Sequence, residues 1–485
     1  MAEPTMLIDG QWVPAVDGDT YDRLSPFDGH LVSTYANGDS EDARRGIAAA
    51  RAAFDAGDWR RAPVQERAAV LRAAAARLRA ERDRLARLLA EEIGQPRQAG
   101  AVEEAAKALE YYAWVACDRR DQAVTEQRSD AVGIISREPI GVVGVLSAWN
   151  APMSVVHKTA PALAVGCTVV VKPAHMTAGG VLELGRILQE AGLPDGVFNV
   201  VTSERANGAV VGHEIAASEL VDMVTFTGST ATGRKVMAAA ATTGKKVVLE
   251  LGGQSPNVVF PDVPDLDAAV KAAFDGVMSL GGQACKAGSR LLLHRDIHDE
   301  FLARLAPKFG EVRLGDPLEP TTTLGPLVSR EQRDRVHGLV RSATDAKVLI
   351  GGSYPTEGPL ARGWFYEPTL LDDVSPDSPI AQTEVFGPVL SVLRFDDDSQ
   401  AVEIANGTQY GLAGAVWTAD IDRALSFAKR LRSGTVWVNT YRESGLRYLP
   451  SGGWDASGIG LERSREGLEE FLLTKSIHIK LRRPS

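Results

Sequence analysis

Short apolar runs alternate with helix-like stretches through much of the first half of the chain. The runs that predict strands in this half are 142–147, 167–171, 197–201, 221–226 and 245–250. They are rich in valine, and continuous apolar strands separated by helices are typical of a parallel sheet covered on both faces. The pattern therefore predicts a doubly wound α/β fold.

A second series of the same kind begins near residue 256. The runs that predict its strands are 256–260, 289–294, 367–371, 388–395, 414–418 and 434–439. This series predicts a second α/β domain. A site drawing on both domains is expected in the cleft between them, where ligands commonly bind.

Residues 65–93 predict one long amphipathic helix. Leu71, Leu78 and Leu85 recur at helical spacing, while arginines fill the intervening positions. Gly94 and Pro96 are expected to end the helix. We interpret the arginine run as a solvated outer face.

Composition narrows the class of protein. A chain of 485 residues predicts two or three domains, and 44% hydrophobic with 24% charged residues is typical of a globular protein. The net charge of −10 argues against a general nucleic-acid binder. Neither a signal peptide nor a membrane span is visible, so we expect no membrane partner and a cytoplasmic location.

Cysteine is scarce in this chain. Cys117, Cys167 and Cys285 show no CxxC spacing, which predicts neither a disulfide framework nor a metal site. Cys285 lies among small and polar residues. It is either a small buried hydrophobe or a nucleophile, and the neighbouring Lys286 would favour its thiolate if the charge lies close in space.

Chemically capable side chains fall where the predicted strands end. Asn150, Lys172, residues 227–229 and Glu250 each follow or close an apolar run. Ligands bind beyond the carboxyl ends of strands in such sheets, so these positions predict a site. Asn150 is either a turn former or an oxyanion donor. Glu250 is either an ion-paired edge residue or a general base activated by burial.

The glycine-rich turn at 228–233, GSTATG, admits two interpretations. It lacks the Lys-Ser/Thr of a P-loop and does not match GxGxxG, so an ordinary tight turn is one of them. Its position after a buried strand and at a helix start favours the other, a pyrophosphate site on backbone N–H groups.

Several motifs together resemble those of the aldehyde dehydrogenase superfamily, in that family's order and over nearly the whole chain. The motifs are AWN (148–150), KPA (172–174), FTGST (226–230), LELGG (249–253), GGQACKAGSR (281–290) and EVFGPV (384–389). The resemblance implies a nicotinamide-binding domain at 1–121 and 141–251 and a catalytic domain at 252–452. It further implies a bridging β segment at 122–140 and 469–485, and assembly into a homodimer or homotetramer.

The resemblance also implies a mechanism and a small-molecule aldehyde substrate. Cys285 would attack the aldehyde, Asn150 and the Cys285 backbone N–H would hold the oxyanion, and Glu250 would activate the water that hydrolyses the thioester. NAD would be the cofactor. The residues implied to contact it are Trp149, Lys172, Ala174, His175, Thr227, Gly228, Ser229, Gly233, Leu251, Gln332, Glu384 and Phe386.

Two departures from the family pattern bear on specificity. His175 replaces a ribose-binding glutamate, which predicts NAD use with tolerance of NADP. The positions that match the family's substrate entrance are Ser154, Val155, Lys158, Ser279, Arg442, Ser444 and Ser451. These are mostly polar, and Lys158 or Arg442 would pair with a substrate carboxylate, which predicts a polar or semialdehyde-type substrate. Alternatively, these side chains face solvent or one another.

Two other functions remain open. A CoA-acylating relative would pass the acyl group to CoA, although such relatives generally lack the glutamate base that Glu250 supplies here. A non-catalytic protein on the same scaffold would be expected to have lost the cysteine, the glutamate or the asparagine, and this chain keeps all of them.

Overall fold

The computed structural model describes residues 5–96, 98–118, 121–125, 130–442 and 449–481. The strands within these ranges are β1 (Met6–Ile8), β2 (Gln11–Val13), β3 (Thr20–Leu24), β4 (Leu31–Ala36), β5 (Gln122–Val124), β6 (Ala131–Pro139), β7 (Val142–Leu146), β8 (Thr168–Lys172), β9 (Phe198–Val200), β10 (Met223–Thr227), β11 (Lys246–Glu250), β12 (Pro256–Val259), β13 (Arg290–His294), β14 (Lys347–Ile350), β15 (Thr369–Asp372), β16 (Val389–Phe395), β17 (Tyr410–Gly411), β18 (Ala413–Trp417), β19 (Thr435–Val438), β20 (Trp454–Asp455), β21 (Gly458–Ile459) and β22 (Leu472–Lys480).

The helices in the same ranges are α1 (Ser40–Ala56), α2 (Asp58–Arg61), α3 (Val64–Ala80), α4 (Arg82–Ile93), α5 (Ala99–Cys117), α6 (Val156–Val165), α7 (Gly179–Glu190), α8 (Arg205–Ala217), α9 (Thr230–Ala241), α10 (Leu266–Met278), α11 (His298–Gly310), α12 (Arg330–Ser342), α13 (Pro379–Gln382), α14 (Asp398–Asn406), α15 (Ile421–Arg430) and α16 (Ser464–Glu469).

The first large sheet has eight strands in the order β2-β1-β9-β8-β7-β10-β11-β21. Its five central strands are parallel, and antiparallel strands close both edges. Along β8, Val169 and Val171 belong to one hydrophobic core and Val170 to the core on the opposite face. Alternate side chains of a strand point to opposite faces, so a run without polar residues requires cover on both.

The second large sheet has seven strands in the order β14-β15-β16-β13-β12-β18-β19. All of its neighbours are parallel except the edge pair β14–β15. Leu292 packs into one core, and Leu291 and Leu293 pack into the other. The strand order therefore agrees with the doubly wound α/β prediction in both halves of the chain.

Strand order reverses next to β7 in the first sheet. The chain proceeds from β7 through β8 to β9 on one side and then returns to place β10 on the other side. The carboxyl ends of β7, β10 and β11 consequently lie side by side, with Phe226 paired to both Leu146 and Leu249. A crevice at such a reversal is where open α/β sheets bind ligands.

The predicted bridging segments contribute strands to one small sheet, in the order β22-β6-β5. Strand β22 pairs antiparallel with β6 from Leu472 opposite Pro139 to Lys480 opposite Ala131. Most of β22 is exposed, with Leu473 at 51% and Ile479 at 40%. The assignment of this sheet to a subunit contact stays a prediction.

The prediction of one helix over residues 65–93 was wrong. Helix α3 ends at Ala80 and α4 begins at Arg82, because Glu81 leaves helical geometry at φ −102° and ψ 13°. The Glu81 carboxylate accepts bonds from both Arg84 and Arg186 at this break. Gly94 ends α4 as expected, in the left-handed conformation.

The arginines of this segment do not all lie on a solvated face. Arg67 is only 5% exposed, and its Nε donates to the Ala164 carbonyl at 3.0 Å.

No helix among the described residues is long and apolar enough to cross a membrane.

Arg290 provides a test of how the second sheet is held together. Its side chain is 2% exposed and donates at 2.8 Å to each of the Gln254, Ile404 and Ala405 carbonyls. We expect Arg290→Leu to lower the melting temperature by at least about 3 °C, because three buried acceptors lose a charged donor. Calorimetry would measure the shift, with the exposed Arg304→Leu as control. A wild-type melting temperature in Arg290→Leu would contradict this account.

Candidate active site

The loop from α10 to β13 carries Cys285. The side chain of Gln283 anchors this loop, because its Oε1 accepts a bond from the Val328 backbone N–H at 3.0 Å. Gln283 is fully buried. The hydroxyl of Tyr441 donates to the Lys286 carbonyl at 3.1 Å on the other side of the cysteine. Both flanks of Cys285 are therefore fixed by hydrogen bonds to other parts of the fold.

The LELGG motif lies directly against this loop. A Cβ built on Gly253 would lie 2.4 Å from the Cys285 carbonyl oxygen, so a side chain at this position would clash with the backbone. The Gly253 N–H donates to Glu384 Oε1 at 2.9 Å. Residues just beyond β11 thus contact both the cysteine loop and the EVFGPV segment.

Asn150 reaches the same loop from the end of β7. Its Nδ2 donates to the Gln283 carbonyl oxygen at 2.8 Å, two residues before Cys285. An amide nitrogen carries two donors, and this bond uses one of them. The arrangement places an amide donor beside the cysteine and fixes its orientation.

Glu250 ends β11 in a buried environment. It is 6% exposed, and its Oε1 has no hydrogen-bond partner among the residues described. Burial raises the pKa of Glu250 to about 8, with the Glu462 charge adding to the effect and Lys286, Lys158 and Arg463 opposing it. A carboxyl with this pKa takes up and releases protons near neutral pH, as a general base must.

Burial also controls Cys285. It raises the pKa of the thiol to about 11, and the opposing Lys286 charge is too weak to reverse the shift. Glu250 and Glu384 raise the pKa further, while Arg442 lowers it. The expectation that Lys286 would favour the thiolate is right in direction, but burial outweighs the effect of its charge.

Several predicted cofactor residues stand at the carboxyl ends of β8 and β10, a sheet edge that we call the groove. Lys172 is half-buried, its Nζ donates to the Pro173 carbonyl at 2.8 Å, and burial lowers its pKa to about 8. Ser229 caps α9, its Oγ accepting from the Thr232 N–H at 3.2 Å. Ala174 and His175 stand at the start of a short 3₁₀ turn that follows β8.

The glycine-rich turn lies at the same edge of the sheet. Thr227 ends β10, and the Gly228 N–H donates to the Glu250 carbonyl at 3.1 Å. Gly233 is buried in α9 and faces the side chain of Leu251. The turn therefore connects the predicted phosphate site to the strand that carries Glu250.

Two residues from the second half of the chain that are predicted to contact the cofactor are linked to each other and to Trp149. Gln332 Nε2 donates to the Phe386 carbonyl at 2.8 Å, and the ring of Phe386 meets Trp149 edge-on at 5.3 Å between centroids. Burial raises the pKa of Glu384 to about 7, against the Gly253 N–H bond and the Arg335 charge. The AWN and EVFGPV motifs are thus in contact through Trp149 and Phe386.

The predicted substrate-entrance residues differ in their exposure to solvent. Val155 is 1% exposed and belongs to a hydrophobic core, whereas Ser154 is exposed and Ser279 is half-buried. Arg442 has φ 54°, and its Nη1 is buried with no hydrogen-bond partner among the residues described. Ser444 lies outside the described residues.

Lys158 requires a correction. Its ammonium is 3% exposed, forms an ion pair with Glu462 and donates to Thr225 Oγ1 at 2.9 Å. The Lys158 ammonium, which the sequence suggested would bind an anionic substrate, is therefore already paired with a carboxylate of the protein. Sequence reasoning could not detect this pairing, because the two partners are 304 residues apart.

A connected group of polar residues, which we call the polar wall, comprises Lys286, Thr435, Ser451 and Glu462. Of these, only Ser451 was predicted from the sequence as a pocket residue. Lys286 Nζ donates to Ser451 Oγ at 2.8 Å and to Thr435 Oγ1 at 3.3 Å. Ser451 exchanges two backbone bonds with Glu462, at 2.8 and 2.7 Å. The adjacency of Lys286 to Cys285 was the available signal for its place in the site, and no local signal marked Thr435 or Glu462.

Comparisons with known proteins agree with this geometry. The model of the "Aldehyde dehydrogenase family" matches residues 12–477. The chain is 40% identical over 479 residues to a betaine aldehyde dehydrogenase of Bacillus subtilis, covering 98% of this chain and 97% of that protein. It is 39% identical to aminoaldehyde dehydrogenase 2 of Zea mays, covering 97% of this chain and 94% of that protein.

Solved structures show the same relationship. The NAD-dependent aldehyde dehydrogenase of Sinorhizobium meliloti matches with a TM-score of 0.96 and 39% identity, covering 99% of this chain and 95% of that one. Betaine aldehyde dehydrogenase of Staphylococcus aureus in complex with NAD⁺ matches at 0.96 and 34% identity, covering 100% and 96%. The predicted fold class and enzyme class are confirmed, and the chain belongs to the aldehyde dehydrogenase family.

Proposed function

We propose that this chain oxidises an aldehyde to a carboxylic acid with NAD, using Cys285 as nucleophile, Asn150 as oxyanion donor and Glu250 as general base. The observation that carries the proposal is the convergence of two distant sequence segments on the loop that carries Cys285. Asn150 bonds the Gln283 carbonyl at 2.8 Å, and Gly253, three residues after Glu250, touches the Cys285 carbonyl.

The residue types account for each step. The Cys285 thiol loses its proton to solvent, the thiolate adds to the carbonyl carbon, and the resulting oxyanion accepts bonds from the Asn150 amide and the Cys285 N–H. Loss of hydride from that carbon leaves a thioester on Cys285. Glu250 then takes a proton from water, the hydroxide attacks the thioester carbon, and the acid leaves as the thiolate is released.

The groove fits a nicotinamide dinucleotide. Lys172 Nζ and Ser203 Oγ lie 3.3 and 3.5 Å from the place that a Cβ on Gly208 would occupy, which leaves a small polar cradle. Ser203 Oγ is buried without a hydrogen-bond partner among the described residues, as expected of a group awaiting a ribose hydroxyl.

The positions of other residues in the fold indicate the remaining contacts with the cofactor. The N-terminus of α9 at Ser229 suits a pyrophosphate, and Gln332, Glu384 and Phe386 line the nicotinamide side. When bound, NAD would supply the acceptor for the hydride that the aldehyde carbon loses. The NAD⁺ complexes of the Staphylococcus aureus enzyme support this assignment.

The substrate we propose is a polar or semialdehyde-type aldehyde. The wall near Cys285 presents Ser451, Thr435 and the buried Nη1 of Arg442, and a polar wall favours a substrate with oxygen groups. Transfer of the acyl group to CoA is the alternative outcome, and the buried carboxyl of Glu250 argues for hydrolysis instead.

We also propose a role for each of the three sheets. The first sheet would bind the cofactor, the second sheet would carry Cys285, and the small sheet with β22 would join subunits into a dimer or tetramer. Exposed apolar side chains at Leu473, Ile477 and Ile479 support a subunit contact there.

Substitution of the base tests the mechanism. Glu250→Gln should release one equivalent of reduced cofactor in a burst and then turn over at least about 100-fold more slowly than wild type, because acylation does not require the base. Stopped-flow absorbance would measure both phases, with Cys285→Ala as the control that shows no burst. Wild-type turnover of Glu250→Gln without CoA would refute the role of this residue.

The pH dependence of thioester hydrolysis is a second test. Burial raises the pKa of Glu250 to about 8, so the carboxyl is protonated and inactive as a base below that pH. Hydrolysis of the acyl-enzyme should therefore accelerate as pH rises through about 8 and then level off. Decay of the thioester after a single turnover would be followed across the range, and a rate independent of pH would contradict the assignment.

Cofactor choice is a third test. His175 cannot accept bonds from both ribose hydroxyls and carries no fixed negative charge to repel a 2′-phosphate. We expect the preference of kcat/KM for NAD over NADP to stay below about 1000-fold, and His175→Glu to raise it by at least about tenfold. Steady-state kinetics with both cofactors would decide, and an unchanged ratio in His175→Glu would oppose this explanation.

A further inference from the structure

A lysine immediately follows the proposed nucleophile, and its ammonium bonds only to hydroxyl groups within the part of the chain that the structure describes. Lys286 Nζ donates to Ser451 Oγ at 2.8 Å and to Thr435 Oγ1 at 3.3 Å. Within the described part of the chain, no carboxylate lies within ion-pair distance of this ammonium. A cation with partial burial and no anionic partner is costly unless a ligand supplies one.

The surrounding charges do not neutralise this cation. Glu462 is already paired with Lys158, and burial raises the pKa of Glu250 to about 8, which favours its neutral form. Arg442 and Arg463 are positively charged and lie close enough to influence Cys285 and Lys286, respectively. The positive charges of Lys286 and Arg442 thus both act on Cys285.

The groups that shift the pKa of Lys286 agree with this description. Burial lowers its pKa, and the Arg463 charge lowers it further, whereas Glu250, Cys285 and Glu462 raise it. A bound carboxylate would add to the groups that raise the pKa and would stabilise the ammonium form. The site is thus better matched to an occupant with a negative charge than to a neutral or positive one.

We propose that Lys286 determines substrate choice, its ammonium binding a carboxylate on the aldehyde's tail and disfavouring aldehydes that carry a positive charge. This proposal rests on the function proposed above and names the substrate class more narrowly. Lys286 neighbours the nucleophile and has a four-carbon stem, so the carboxylate it recognises lies only a few bonds from the reacting carbon. Short semialdehyde acids have that form.

The proposal separates this chain from the named activities of its relatives. Betaine aldehyde and aminoaldehydes, which give two similar proteins their names, are positively charged compounds. Here such a cation would meet Lys286 and Arg442 beside Cys285, and like charges held together in a poorly solvated site repel each other.

Substrate kinetics on matched aldehydes test the proposal. A semialdehyde acid, an uncharged alkanal and an aminoaldehyde of equal chain length would be compared in wild type, Lys286→Met and Lys286→Arg. The wild type should prefer the acid to the alkanal by at least about tenfold, and Lys286→Met should lose at least about tenfold in kcat/KM for the acid, mostly through KM. The ratio of kcat/KM for the acid to that for the alkanal should fall at least about tenfold in Lys286→Met, because the effects of the ammonium on the pKa values of Cys285 and Glu250 apply to every aldehyde and cancel in the ratio. Lys286→Arg should restore part of the preference.

The control variant lies outside the site, and the results that would contradict this proposal differ from those that would refute the proposed function. Lys271→Met removes an exposed lysine of α10 and should leave all three substrates unchanged. An equal loss on all substrates in Lys286→Met, or an acid preference that persists there and disappears only in Arg442→Met, would overturn the proposal. Oxidation of the alkanal or aminoaldehyde without any acid preference would overturn it too, but would leave the proposed function standing. Absence of NAD reduction with every aldehyde would instead refute the proposed function.

Discussion

The close approach of Gly253 to the Cys285 carbonyl is the contact on which the site depends. It joins the end of the first sheet's β11 to the loop that enters the second sheet at β13. The bond from the Gly253 N–H to Glu384, at 2.9 Å, adds a third segment to the same point. A larger residue at 253 would push these segments apart, and Glu250, three residues earlier, would move with them.

Burial is the second constraint, and it acts on four ionisable groups of the site. It raises the pKa of Glu250 to about 8, that of Glu384 to about 7 and that of the Cys285 thiol to about 11, and it lowers that of Lys172 to about 8. A shift of this size favours the neutral form of each group. The site is consequently poised to exchange protons near neutral pH, and the charges supplied by bound ligands will alter its ionisation strongly.

The polar wall links this electrostatic state to specificity. Ser451 connects Lys286 to the segment around Glu462, and Glu462 in turn holds Lys158. Two lysines that look equivalent in the sequence thus have different surroundings: Lys158 forms an ion pair within the protein, while Lys286, next to Cys285, bonds to two hydroxyl groups among the described residues. Family membership specifies the reaction, whereas the pairing of these side chains bears on which aldehyde enters.

The sequence by itself determined the two α/β halves, because continuous valine-rich runs can be buried only in sheets covered on both faces. It also identified Cys285, Glu250 and Asn150 as candidates, because their motifs are local and ordered along the chain. Only the tertiary structure decided that Glu81 divides the predicted long helix and that Arg67 is buried. It also decided that Lys158 pairs with Glu462, 304 residues away. The physical reason is that hydrophobic periodicity is a local property, whereas pairing of charges and pKa values depend on neighbours that folding brings from distant parts of the chain.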